Sequence, residues 1–337
     1  MIKSLAYRLG SFAAVPRLLQ QAFVPDAAAI LMYHAVTKLP LAVEDWCFVG
    51  EQQFRDQMLY LKKHCQVVPL RDIPLAIKSG ARLPIVALTF DDGFQNNCGV
   101  ALPILQEVGL PATVFLATDF IGSDDTPWFC RINEALSLTT LTRLDWDGET
   151  YDLSNRQRRA EAHARLQVRL KRFRHPELLE KTTQLITALG DRPGKSISHG
   201  SPYRMLSAAE VAEMAGTGLI EFGAHTCSHA ILSGLSPAER SQEIAASLAA
   251  VERLTGSPCS LFAYPNGRVI DYGPCDVATL HDRKINVAVT TVTGPNDRSV
   301  SPLEMRRYMV GPGTSIGQFK LLTHHVLWKL QTLSLLS

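Results

Sequence analysis

"PIVALTFDDG", residues 84–93, is an apolar run that ends in two adjacent carboxylates and a glycine. Side chains alternate faces along a strand, so a run that is apolar on both faces belongs to a strand covered on both sides, as in the parallel sheets of α/β folds. The same alternation makes Asp91 and Asp92 a puzzle. They should point opposite ways, and a buried carboxylate without a partner costs several kcal/mol. The carboxyl end of such a strand is where α/β folds place their sites, and Gly93 permits a turn sharp enough to aim both acids into one cleft.

Outward from this stretch, short β-rich runs recur at 28–36, 112–118, 220–225, 260–265, 286–291 and 306–310, separated by helical patterns such as 51–65, 101–109 and 236–256. This alternation predicts a parallel sheet with helices on its faces, either a barrel or a doubly wound sheet. It breaks between about 130 and 205, which reads as a helical insertion with a Gly/Pro/Ser-rich loop at 190–202. Inside it, "RQRRAEAHARLQVRLKRFR" (156–174) carries eight Arg or Lys against one Glu. Such a helix could touch phosphates or an anionic membrane surface, or present a solvated face over the apolar stripe of Leu166, Leu170 and Phe173.

The chain has 337 residues, 46% of them hydrophobic and 20% charged, with a net charge of +2. That balance lacks the basic excess of a dedicated nucleic-acid binder, so no nucleic-acid partner is expected. Seven dispersed cysteines without a C-x-x-C pair fit reduced thiols. Residues 1–27 read as a short amphipathic helix with no signal-peptide h-region, and no run approaches the roughly 18–20 apolar residues that span a bilayer. Together these features predict a cytoplasmic protein, at the inner membrane face if the basic helix touches lipid.

Two more polar clusters end apolar strands. In "GAHTCSH" (223–229), His225 and His229 are four residues apart, which on a helical turn puts both imidazoles on one side, able to grip a metal ion. Two imidazoles and one carboxylate would leave coordination positions open; zinc is the default for such a set, and other divalent ions fit it too. In "FAYPNG" (262–267) a strand runs into a turn whose backbone N–H groups could face a developing oxyanion, or which could be a turn and no more.

"TFDDG", "HTCSH" and "FAYPNG", in this order, resemble the motifs of the polysaccharide deacetylase family, carbohydrate esterase family 4, over about "ILMYHAV" to "RRYMV". The resemblance implies a distorted (β/α) barrel over 28–320 carrying the helical insertion, with a C-terminal helix over 321–337. It implies a divalent metal held by Asp92, His225 and His229, and Asp91 as the base that activates water. Family members commonly carry an arginine in the third motif, where this chain has Ala263; Arg307 in "EMRRYMV" is the candidate replacement, since of Arg306 and Arg307 only one can point to the site. The general acid falls to His34 of "LMYH", in preference to the histidines of "LLTHH" (321–325), which lie in a helix-like stretch. Tyr264, Pro265 and Asn266 are candidates for contacting the acyl carbonyl, or for forming the turn and no more, and Trp128 of "TPWFCRINEAL" for stacking on a sugar or for core or lid packing. The expected activity is metal-dependent removal of an N-acyl group, above all N-acetyl, from an amino sugar in a polysaccharide or glycolipid. Two alternatives stay open: a carbohydrate-binding homologue that has lost turnover, suggested by Ala263, and a deformylase or amide hydrolase acting on a lipid-linked sugar.

Overall fold

The computed structural model describes residues 27–79, 83–192, 194, 196–197 and 200–332. Apart from Ala27, the helix expected over 1–27 lies outside them. The barrel strands are β1 (Ala28–Tyr33), β4 (Gln66–Val67), β5 (Ile85–Phe90), β6 (Ala112–Leu116), β9 (Ile220–Ala224), β10 (Leu261–Ala263), β11 (Val287–Val289) and β12 (Tyr308–Met309). They form one parallel sheet in the order β11-β10-β9-β6-β5-β1-β12, with β4 on the lower edge of β5. Met305 bridges to Val289 of β11 while Tyr308 pairs with Leu31 of β1, so the last segment ties the two ends of the sheet and the strands curl into a distorted barrel.

The helices that cover it are α1 (Glu51–His64), α2 (Leu102–Val108), α6 (Ala208–Gly216), α7 (Pro237–Thr255) and α8 (Pro274–Asp282), followed by the short pair α9 (Ile316–Thr323) and α10 (Val326–Thr332). α7 begins at a capping box in which Ser236 and Glu239 satisfy each other's backbone N–H groups, with Pro237 preset for the first turn, and it ends at Gly256 in the left-handed region. The single C-terminal helix expected from the sequence is instead two, separated at His324 and His325.

Strand alternation sorts the core into two layers. Leu31, Tyr33, Leu88, Phe90, Val114 and Phe262 face the helices, while Ala28, Ile30, Ala87, Phe115, Ala263 and Val289 fill the barrel interior. The interior set is small because the ring is narrow. At position 223 an added Cβ would lie 2.6 Å from the Phe115 ring and 2.9 Å from Leu261, so glycine is required there.

The insertion has its own hydrophobic cluster. It comprises α3 (Trp128–Leu138), α4 (Arg156–Leu170) and α5 (His175–Ala188), and also a β-hairpin of β7 (Arg143–Trp146) and β8 (Glu149–Asp152) that the reading of this region as helical did not include. The missed signal was "DG": Asp147 and Gly148 both take positive φ, 50° and 79°, as a two-residue hairpin turn demands. A second small parallel pair, β2 (Ala35–Thr37) with β3 (Phe48–Gly50), leads from the barrel rim into α1.

Four of the five arginines of the basic helix α4 are engaged internally. Arg158 pairs with Glu161 at 2.8 Å, Arg165 with Glu149 at 2.9 Å and Arg169 with Asp147 at 2.7 Å, while Arg159 donates to the carbonyls of Leu136 and Leu153. A phosphate- or lipid-facing role would need those charges free. Among the described residues no helix is long and apolar enough to cross a membrane.

Candidate active site

Continuing the interior alternation past the strand ends predicts the site. Ala87, Thr89 and Asp91 lie on one face of β5, Ile30 and His34 on the same face of β1, Gly223 and His225 on that of β9, and Met305 and Arg307 on the segment leading into β12. Asp92 breaks the rule because its backbone does: its φ of 75° is left-handed, and Gly93 follows at 88° with no room for a side chain, since a Cβ would sit 2.8 Å from Leu116 Cδ2. Two left-handed residues in succession turn the second carboxylate back to the side of the first.

The two acids then meet opposite fates. Asp91 is gripped by Arg307 through a bidentate pair, Nη1 to Oδ1 at 2.6 Å and Nη2 to Oδ2 at 2.7 Å. The guanidinium is itself fixed, Nε donating to the Thr290 carbonyl at 2.8 Å and Nη1 to Thr89 Oγ1 at 3.2 Å. Burial by itself would raise the Asp91 pKa, but Arg307 and then His225 beside it more than offset this and hold the carboxyl well below its usual range.

Asp92 is fully buried, and neither of its carboxylate oxygens has a hydrogen-bond partner among the described residues. What faces it are two imidazoles: His229 Nε2 at 3.4 Å and His225 Nε2 at 3.7 Å from Oδ1. His225 Nδ1 lies 2.7 Å from the Ala263 carbonyl, which can only accept, so Nδ1 carries the proton and Nε2 turns a lone pair toward Asp92. Burial, then Asp91 and Asp45 nearby, push the Asp92 pKa well up; burial also lowers both histidines, His229 the further. A buried carboxylate facing two imidazole nitrogens is the donor set of a cation, and Asp92, His225 and His229 offer three ligand atoms within 4.8 Å of one another.

The loop that carries the histidines is not the helical turn expected from their spacing. Thr226 and His229 are left-handed at 61° and 57°, and the irregular segment is stapled from outside by Glu243 of α7. Its Oε2 accepts the N–H groups of Cys227 at 2.7 Å and Ser228 at 3.1 Å, and its Oε1 accepts Ser228 Oγ–H at 2.8 Å. Nothing in the sequence near the motif marks Glu243, which lies on a separate helix. With Asn266 at 59°, four of the seven non-glycine residues with positive φ among the described residues belong to the three motifs. Such strain persists only where the surroundings over-determine it.

His34 is buried at the end of β1, its ring edge-on to Trp46 with centroids 5.0 Å apart, and burial lowers its pKa from 6.5 to about 4. The histidines of "LLTHH" are elsewhere. His324 Nε2 meets Tyr60 Oη and His325 Nδ1 meets Tyr308 Oη, each at 2.9 Å, pinning the C-terminal helices to the barrel.

The remaining candidates need correction. Trp128, 5% exposed, is packed in the insertion's core and offers no ring face; its neighbour Phe129 is the aromatic that touches the site, 5.2 Å from the His229 ring. The Tyr264 side chain leaves the site altogether, donating to the Leu303 carbonyl and stacking on Tyr272. In the turn, the Tyr264 N–H goes to Val289 and the Gly267 N–H to the Pro265 carbonyl, and Pro265 has none, so of these four residues only Asn266 keeps a backbone donor to offer. The Asn266 side chain accepts from Lys171 Nζ at 2.8 Å and donates to Asp271 at 2.6 Å, joining the insertion to the third motif.

Comparison with known proteins adds the family. The polysaccharide deacetylase family model matches residues 78–284, more than half of the chain. The chain belongs to the polysaccharide deacetylase family. It is therefore a hydrolase acting on carbon–nitrogen bonds other than peptide bonds. Over 298 residues, 88% of this chain and 75% of the relative, it is 29% identical to YxkH of Bacillus subtilis, whose name places it in the same family. Over 114 residues, 31% of this chain and 38% of the relative, it is 32% identical to the poly-beta-1,6-N-acetyl-D-glucosamine N-deacetylase of Staphylococcus epidermidis. The Streptococcus pyogenes deacetylase PplD, solved with acetate, shares its fold at a TM-score of 0.58 and 18% identity, covering 90% of this chain and 99% of that one. IcaB from Ammonifex degensii does so at 0.57 and 18%, covering 89% and 97%.

Proposed function

We propose that this deacetylase is metal-dependent and removes an N-acetyl group from an amino sugar within a glycan, the poly-N-acetylglucosamine type being the substrate class nearest to its relatives. The observation that carries this reading is the buried Asp92 carboxylate, without a hydrogen-bond partner among the described residues, facing His229 Nε2 at 3.4 Å and His225 Nε2 at 3.7 Å. Asp92, His225 and His229 would hold the cation, zinc being the first choice for this donor set. When bound, a divalent ion supplies a Lewis acid for the amide oxygen and makes water easier to deprotonate.

The chain's own residues do the rest. Arg307 keeps Asp91 ionised and fixed in orientation, so Asp91 is a ready proton acceptor with one approach direction. His34, which interacts electrostatically with Asp91, would protonate the departing amine. With its pKa at about 4 it is neutral at rest near neutral pH, so the proton it delivers must be the one taken from water during the cycle. The asymmetric reading of a lost activity rested on Ala263, and the Arg307 clamp removes that ground: the guanidinium reaches Asp91 from another strand. The cytoplasmic location remains part of this proposal, to be tested by fractionation.

The test measures bound metal and acetate or formate release from free, polymeric and lipid-linked N-acylated glucosamine, for wild type, Asp91→Asn and Asp92→Ala. We expect one metal per chain, acetate from the polymer, metal without turnover in Asp91→Asn, and neither in Asp92→Ala. Acetate release by metal-free Asp92→Ala protein would sink the mechanism.

A further inference from the structure

Beside the site lies a cleft of about 650 Å³ whose walls come from three separate parts of the chain. One wall is Glu44–Trp46, in the connection between β2 and β3. The second is a single face of α4, with Ala160, Ala164, Val168 and, just past the helix, Lys171. The third runs on from the end of β12, with Met309 and Pro312. Volumes of a few hundred Å³ are those of small-molecule sites.

Trp46 is the large aromatic of this cleft and is 42% exposed. Its backbone is held from both sides. The preceding Asp45 is buried and fixed by the Cys47 N–H at 3.1 Å and Asn133 Nδ2 at 3.0 Å, and Gly311 packs so close that an added Cβ would lie 2.9 Å from the Trp46 carbonyl oxygen. Its indole meets the His34 ring at 78°, edge to face, which places one end of the cleft directly against the proposed proton donor. Across the cleft, Lys171 uses one of its three N–H donors on Asn266 of the third motif. The small residues of α4 keep the space between these walls open.

An exposed indole on a held backbone, a hydrogen-bond donor in the same cleft and an apolar floor are what a pyranose ring needs. Its C–H face stacks on an aromatic plane and its hydroxyls take donors at the edge. A lipid chain fits less well, because Glu44 lies at the cleft and Arg165 and Arg169 of α4 are paired with acids. Resting on the deacetylase reading above, we propose that Trp46 is the stacking platform for the sugar unit next to the one being deacetylated, with Lys171 hydrogen-bonding that unit from the insertion. The enzyme would then prefer oligomers over a free monosaccharide, and the insertion would take part in substrate choice.

The experiment compares wild type, Trp46→Ala and Trp46→Tyr on N-acetylglucosamine and on its fully N-acetylated β-1,4 and β-1,6 pentamers. Calorimetric binding of the pentamers is measured in parallel in an Asp91→Asn background. Loss of a stacked aromatic should raise the pentamer KM and weaken pentamer binding by about tenfold or more, change the monosaccharide KM much less, and be largely restored by tyrosine. Equal losses on monosaccharide and pentamer, unchanged pentamer binding in Trp46→Ala, or no binding of either pentamer to the parent protein would each overturn the proposal. Hydrolysis of a small aryl acetate by wild type separates the two readings. If it proceeds while the pentamers fail to bind, only the platform falls; if it too is absent, the deacetylase mechanism falls with it.

Discussion

Arginine–carboxylate pairs occur both in the barrel and on the insertion, and they have different physical meanings. Arg307 and Asp91 are both sealed inside the ring, with side chains 0% and 3% exposed, and the pair is bidentate and further tied to Thr89 and Thr290. Arg165 and Glu149 form a 2.9 Å contact on the surface of the insertion, 55% and 40% exposed. In water the second pair gains little, because solvent screens it and two long side chains lose freedom to form it. In the barrel neither partner has water as an alternative, so removing one leaves the other stranded. The contact distances are similar, and only burial tells function from decoration.

The contrast can be broken most forcefully at Arg307. Arg307→Ala should cost about 3–5 kcal/mol of stability by stranding Asp91 and reduce turnover by about a hundredfold or more, read by urea unfolding and steady-state kinetics. It can be sharpened by returning the guanidinium to the third motif. Ala263→Arg combined with Arg307→Ala should recover part of both losses, since position 263 faces the same interior; no recovery at all would mean that the direction of approach to Asp91 matters as much as the charge.

Glu243 stands between the two regions, half-buried and outside the ring, yet bonded to the loop of both histidines. Glu243→Ala should weaken metal binding by about 10- to 100-fold, measured by competition with a chelator, while leaving the far-UV spectrum unchanged. A smaller effect is expected from His325, whose burial lowers its pKa from 6.5 to about 4. The unfolded chain takes up this proton first, so stability falls as pH drops from 6.5 toward 4 and the contribution is flat outside that window. His325→Asn should lose less stability than wild type between pH 7 and pH 5, with His34 supplying the dependence that remains. Arg165→Ala should be the least consequential, with no measurable change in urea midpoint or in binding to anionic vesicles.

How much of this could be read from the sequence follows the same division. Asp91 was legible as the end of an apolar strand and His225 by its spacing from His229, while Arg307 was reached from the resemblance and from the rule that adjacent strand residues face opposite ways. The place of Asp92 depends on a left-handed backbone at a non-glycine residue, which no propensity announces, although the glycine after it hinted at a turn. Trp128 and Tyr264 misled because an aromatic beside a motif is as readily core as site, and only their burial decides. Trp46, Lys171 and Glu243 reach the site through packing between distant segments and had no local signal. The hairpin at Asp147–Gly148 did have one, and the charge of the neighbouring helix drew the reading away from it.

His34 comes from the first barrel strand and Arg307 from the last, and they meet in one pocket with Asp91 between them in sequence. During synthesis Asp92, His225 and His229, the proposed metal ligands, are all made before Arg307, so a nascent chain would hold them while Asp91, the proposed base, is still unclamped. Competence would arrive in a single step, when the final strand docks and closes the ring. A truncation that spared every motif but stopped short of that strand should therefore leave Asp91 without its clamp.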